Sequence, residues 1–323
     1  MKKLSIFAFC LAALNCFGYN FLFTAHSGGG VVAIGDDSGS VKWSMKAEHP
    51  QCAEISADGK RLFFSWRNGA EMFDIEKNRK LWEYKCPEVE WDGEETAKLK
   101  KGDKVRLENP VAQILGKDKF LVGNEGRAAL LEINSKGRVL REIKGESLKR
   151  VNHGEFRLAH FENGKFIFPM LSSSLLAVYN SKGKQIRRIE TGSGVVSAVY
   201  LDKNNILAGG IFGLAVFDKN NVKTWSFTGE ELQQQLGAKE PIVICDVKVM
   251  PDKNILCTTY GGKDIPDVLE ISMKDKQIVK KIDFPEYTHF SALQLLDDDL
   301  KPLAPGAKKR KPAEGKRQKA AKK

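Results

Sequence analysis

The chain has 323 residues, of which 42% are hydrophobic and 29% charged, with a formal net charge of +11. Residues 301–323 hold ten Lys and Arg against one acid, Glu314, and together with Lys2 and Lys3 they account for all of that charge. Residues 19–300 are therefore neutral, which excludes a body that is basic over its whole surface and confines charge steering to a tail.

At the N-terminus, Lys2 and Lys3 precede the apolar run "LSIFAFCLAAL" at 4–14, and small residues follow at Cys16 and Gly18. This is the pattern of a secretory signal over residues 1–18, cleaved after Gly18. The run is too short to span a bilayer, and Asn15 before Cys16 disfavours lipidation. The protein is expected to be exported, either periplasmic or secreted, with no transmembrane segment.

Four-stranded units follow in order. "CAEISADGKRLFFSWRNGAEMFDIEKNRKLWEY" at 52–84 shows a strand, a polar turn, a second strand, a small-residue loop, a third strand, a turn and a fourth strand. Similar units begin at 111, 156, 195 and 242. Asn, Asp and Gly in "ADGK", "ENGK", "LDKNN", "MPDKN" and the twice-used "NSKG" suit tight hairpins. The fourth strands align Trp43, Trp82, Arg141, Arg187, Trp225 and Lys280 in one column. Met45, Tyr84, Ile143, Ile189, Phe227 and Ile282 form the next, as expected where an outer strand packs on the neighbouring blade. Residues 86–108, "CPEVEWDGEETAKLKKGDKVRLE", break the rhythm and read as an extended loop with one turn of helix near "EETAKLKK".

Repeats of this length imply an all-β, six-bladed β-propeller of four-stranded antiparallel blades spanning residues 19–300. The first unit lacks a leading strand, and "FSALQLLD" at 290–297 has no followers. Each completes the other, so strand 290–297 is expected to join the N-terminal blade and close the ring. Residues 301–323 have no large apolar side chain beyond Leu303, and a disordered Lys/Arg-rich tail is expected there.

"VVAIGDDSGSVKWSM" resembles the repeat of quinoprotein-like (PQQ-type) bacterial exported propellers through Ala33, Asp37, Ser38, Gly39 and Trp43. "AVFDKNNVKTWSF" matches it through Ala215, Asp218 and Trp225. The resemblance implies a propeller fold and offers the alternative of a quinoprotein-like oxidoreductase or a carbohydrate-active enzyme with a site in the central funnel. Such dehydrogenases carry adjacent cysteines over the cofactor, and this chain has none. No cofactor is predicted; PQQ is left open as what the resemblance offers but is unsupported by the residues, and no metal is assigned.

Topology gathers the loops between second and third strands, and between blades, on one face. His26, His49, His153 and His289 fall there with Trp66, Arg67, Asn124, Glu125, Arg150, Tyr260 and Asp264, whereas His160 lies within a strand. The ligand-binding candidates are His26, Trp66, Arg67, Asn124, Glu125, His153, Tyr260 and His289. No catalytic residue is identified, because each candidate sits alone on its own blade. Cys245 and Cys257 occupy adjacent strands of one hairpin, where a disulfide is possible if they oppose each other. Cys52 and Cys86 are three strand spacings of ~4.8 Å apart, too far to bridge. The expected protein is a monomeric, non-catalytic binding or scaffold module for a protein or small molecule, with the tail available to an anionic surface.

Overall fold

The computed structural model describes residues 18–146, 151 and 153–303. They form a ring of six four-stranded antiparallel sheets with one additional two-stranded sheet, the six-bladed propeller expected from the repeats. Blade 1 takes its innermost strand, Phe290–Leu296, from the C-terminal end, and Asn20–Ala25, Val31–Asp36 and Val41–Lys46 from the N-terminal end. Phe290 pairs with Ala25 and Leu296 with Asn20, so the ring closes as the unmatched strands required. Phe23 lies 4.6 Å from Phe290 and 4.8 Å from Phe284 between ring centroids, and all three are buried. Removing each such side chain from water contributes about 1.5–3 kcal/mol, which fastens the closure.

The innermost strands of blades 2 to 6 are Pro50–Ile55, Ala112–Gly116, His160–Glu162, Val195–Tyr200 and Val243–Val249. The middle strands are buried on both faces and read as near-continuous apolar runs, whereas the outer strands alternate. In Gln185–Glu190, Ile189 is buried and Ile186 is half exposed.

Two sets of side chains join the blades. On the outer strands, the aligned column packs on its neighbour as expected. Trp82 lies 4.8 Å from Phe120, Arg141 covers Phe166 at 5.1 Å, and Trp225 Nε1 donates to Met273 O at 3.1 Å. Lys280 pairs with Asp37 across the closure. The second set lines the central channel and was not anticipated. Ile55 N donates to Gln294 Oε1 at 2.8 Å, Ile114 N to Glu54 Oε2 at 2.5 Å, Phe161 N to Gln113 Oε1 at 2.7 Å and Tyr200 N to Glu162 Oε2 at 3.1 Å. Each bond crosses one blade junction. Asp246 spans the remaining two, accepting from Ser197 Oγ at 2.7 Å and Leu293 N at 2.8 Å. A buried polar group is tolerated because it is bonded.

Three expectations are corrected and one is refined. Residues 86–108 form a hairpin, Glu88–Glu90 with Lys104–Arg106, and carry no helical turn. A single turn does not offset its nucleation cost, while Trp91, 2% exposed, anchors the hairpin to the ring. A helix, Gly229–Leu236, lies between blades 5 and 6, where the sequence reading has only a connection. Thr228 and Glu231 cap it reciprocally, so "TGEE" was a readable start. Cys257 opposes Val247, not Cys245, which lies in a bulge between Ile244 and Asp246, and the four described cysteines are free. Finally, the acid that shapes the first turn is Asp36, next to the Asp37 of the resemblance: Asp36 Oδ1 accepts from Ser38 N and Ser40 N as Asp218 Oδ1 does from Asn220 N and Val222 N.

The ring has two unlike faces. The hairpin face carries the turns joining first to second and third to fourth strands. The loop face carries the inter-blade connections, the Glu88–Arg106 hairpin and the helix. The N-terminal edge at Asn20 and the end of the innermost strand at Leu296 both lie on the hairpin face. Residues 1–17 of the signal segment expected over 1–18, and the tail beyond Leu303, lie outside the described residues.

Candidate functional site

The loop face brings most of the sequence candidates into two neighbouring groups. The first is built on the end of the Glu88–Arg106 insertion. Asn109 is fully buried; its Nδ2 donates to Gly69 O at 2.9 Å and its Oδ1 accepts from Val111 N and Gly123 N. Asn109 N donates to Arg67 O and Glu125 N to Glu108 O, both at 2.9 Å. These bonds lash the insertion to the turns of blades 2 and 3 and set Glu108 between them. Glu108 Oε1 accepts from Arg67 Nε at 2.8 Å, and Oε2 lies 2.7 Å from His153 Nδ1. Burial raises the Glu108 carboxyl, but His153 and Arg67 outweigh it and hold the group below its ordinary range. The bond to Glu108 raises His153 in turn.

Glu125 forms the floor. It is fully buried; Oε1 accepts from Gly154 N at 2.5 Å, while Oε2 has no hydrogen-bond partner and faces Arg157 Nη1 at 3.9 Å. Burial pushes its carboxyl well above the ordinary range, opposed by Arg157 and reinforced by Glu108. Arg157 Nη2 donates to Gln51 Oε1 at 2.6 Å, while Nη1 has no hydrogen-bond partner. Asn124, also buried, has an unpaired Oδ1. One ligating atom each from Glu108, Glu125 and His153 lies within 4.8 Å of the others, a set of donors able to surround a metal ion.

The second group lies across Arg157, at blades 6 and 1. Tyr260 is half exposed and stacks on His289 with ring centroids 4.7 Å apart. His26 Nε2 meets Ser291 Oγ at 3.0 Å, and the His26 and His49 rings are 6.5 Å apart. Burial, with Arg157 and His49 adding positive charge, lowers His26 to about 4, so it is neutral at pH 7. His49 and His289 both have positive φ, 43° and 61°, each immediately before an innermost strand. Such strain in non-glycine residues is concentrated where surrounding structure enforces a particular side-chain placement.

Two candidates stand apart. Trp66 packs in the blade 1–2 core, where a Cβ on Gly69 would meet its ring at 2.5 Å, so it serves packing. Asp264 is exposed away from these contacts. Arg150 lies outside the described residues. Sequence reasoning missed Glu108, Arg157 and Gln51. Nothing in their spacing marks them, because they meet across 106 residues in one pair and 45 in another; the insertion's break in rhythm was the available signal for Glu108.

The fold is similar to that of a protein of unknown function from Bacteroides caccae, with 18% identity and a TM-score of 0.65 over 86% of this chain and 98% of that one. It is also similar to the WD40 β-propeller domain of Doa1, with 9% identity and a TM-score of 0.52 over 83% of this chain and 79% of that one. At these identities the likeness is one of fold. No family model matches the sequence, and no curated protein matches it. Among the described residues, no helix is long and apolar enough to cross a membrane.

Proposed function

We propose that this chain is an exported, non-catalytic binding or scaffold module that docks a protein or small-molecule ligand on its loop face. The observation that carries this reading is that loops of five blades place Arg67, Glu125, His153, Arg157, Tyr260 and His289 on the same face, where buried atoms of Glu125 and Arg157 have no hydrogen-bond partner. Concave sites with a few convergent polar groups are the usual ligand-binding feature of a rigid scaffold. The hairpin face, by contrast, spends its polar side chains on its own turns.

The basic tail supports the same arrangement. Leu296, the last strand residue before it, lies on the hairpin face, so a tail bound to an anionic surface in the periplasm or outside the cell leaves the loop face free. We retain the quinoprotein-like family as the origin of the repeat but not its cofactor. Among the described residues no two cysteines are adjacent, and Cys52, Cys245 and Cys257 sit within strands.

Photo-crosslinking tests this reading. A benzophenone amino acid at Tyr260 is expected to give adducts in cells of the source organism, whereas one at Lys136, on the hairpin face, is not. Equal labelling from both positions, or labelling from Lys136 alone, overturns it. A catalytic reading draws on Glu108 and Glu125, whose surroundings drive two neighbouring carboxyls in opposite directions. Turnover of a glycoside substrate abolished by Glu125→Gln, with crosslinking from Tyr260 unchanged, would select it.

A further inference from the structure

We infer that Glu108, Glu125 and His153 form a binding site for a divalent transition-metal ion of the Zn²⁺ class on the loop face. This does not depend on what docks there. Two observations carry it independently. The first is geometric: the three donor atoms lie within 4.8 Å of one another. Donors about 2.0–2.2 Å from a common ion are separated by at most about 4.4 Å, so a few tenths of an ångström of adjustment completes the set.

The second is the state of Glu125. Its side chain is fully buried and its Oε2 has no hydrogen-bond partner. Buried oxygens are nearly always bonded, and an orphan needs an explanation. Its cationic neighbour is Arg157 Nη1 at 3.9 Å, and a metal cation among the three ligands adds a closer counter-charge and offsets the burial that makes ionisation of this carboxyl costly.

The surroundings fit such a site. Arg67 holds Glu108 Oε1 at 2.8 Å, leaving Oε2 free to ligate once it releases His153. Ligating carboxylates are commonly oriented by outer partners of this kind. The His153 side chain is 67% exposed and gives the ion a path from solvent. Two carboxylates and one imidazole suit Zn²⁺ or Mn²⁺, with the remaining position open to water, and lack the six to eight oxygens that Ca²⁺ takes. The guanidiniums of Arg67 and Arg157 already balance the two carboxylates, so the affinity is modest, with a Kd on the order of 1–100 μM.

Titration calorimetry of the metal-free full chain with ZnCl₂, then MnCl₂, tests the site, with thermal shift as a second readout. One Zn²⁺ per chain is expected, with Kd raised at least tenfold in both Glu125→Gln and His153→Ala. His160→Gln, in an innermost strand outside both groups, is expected to bind as the unaltered protein does. His153 is exposed, so its variant tests the ligand set without disturbing the core. Circular dichroism establishes folding of Glu125→Gln. Absence of Zn²⁺ binding at 1 mM, binding unchanged in His153→Ala, or binding lost in His160→Gln each overturns the inference.

Discussion

The two faces of the ring use the same residue type in opposite ways. On the hairpin face, Asn180 Oδ1 accepts from the N–H groups of Lys182 and Lys184, both at 3.0 Å and within four residues. On the loop face, Asn109 bonds to Gly123, 14 residues away, and to Gly69, 40 residues away. The first asparagine shapes a turn that its own neighbours already favour. The second holds three separate loops in one place, and the candidate site stands on that bracing. Asn180 is bonded locally and builds an edge of the scaffold; Asn109 is bonded at long range and braces the site.

The widest test of this contrast removes the longest-range contact of all. A chain ending at residue 289 lacks Phe290–Leu296 and exposes Phe23 and Phe284. Loss of any cooperative thermal transition, followed by circular dichroism, is expected; a retained cooperative transition would break the closure argument. Asn109→Ala comes next. It leaves two buried N–H groups and one carbonyl without partners and is expected to cost about 3 kcal/mol in urea unfolding. It should also alter the environment of His153, visible in its NMR resonances.

Glu54→Gln sharpens the picture inside the channel. Burial raises the Glu54 carboxyl to about 7. The native protein therefore keeps a proton that the unfolded chain releases near pH 4.3, and stability falls as pH rises from there to about 7. Glu54 is only partly buried, which moderates this, and the loss is about 1–2 kcal/mol. The glutamine variant is expected to match the unaltered protein at pH 4 and exceed its stability by that amount at pH 7.5. A difference that does not change with pH would disprove the assignment. Smallest is Asn180→Ala, where the neighbouring amides turn to solvent; it is expected to cost about 1 kcal/mol or less and leave the loop face unchanged. If Asn180→Ala and Asn109→Ala cost the same, the distinction between the faces fails.

Much of the scaffold was legible because its signals are local. Strand alternation, "NSKG"-type turns and the column from Trp43 to Lys280 recur in each unit. The capped helix at Gly229–Leu236 is equally local, its start carried by Thr228 and Glu231. The candidate site was legible only in part. Topology puts His26, Arg67, Glu125, His153, Tyr260 and His289 on the loop face, where the structure has them. Their division into two groups, and the removal of Trp66 to the core, were not readable from sequence.

The sequence by itself determined the repeat, the number of blades and the pairing of the two ends, because hydrophobic period and turn chemistry act over a few residues. Only the tertiary structure decided that Glu108, Glu125, His153 and Arg157 meet, that Asp246 and Glu54 stitch blades across the channel, and that Cys245 and Cys257 pass each other. Those outcomes depend on bulges, on an insertion docking over blade 3, and on burial that shifts the charge of each group, and these arise only when distant segments pack together.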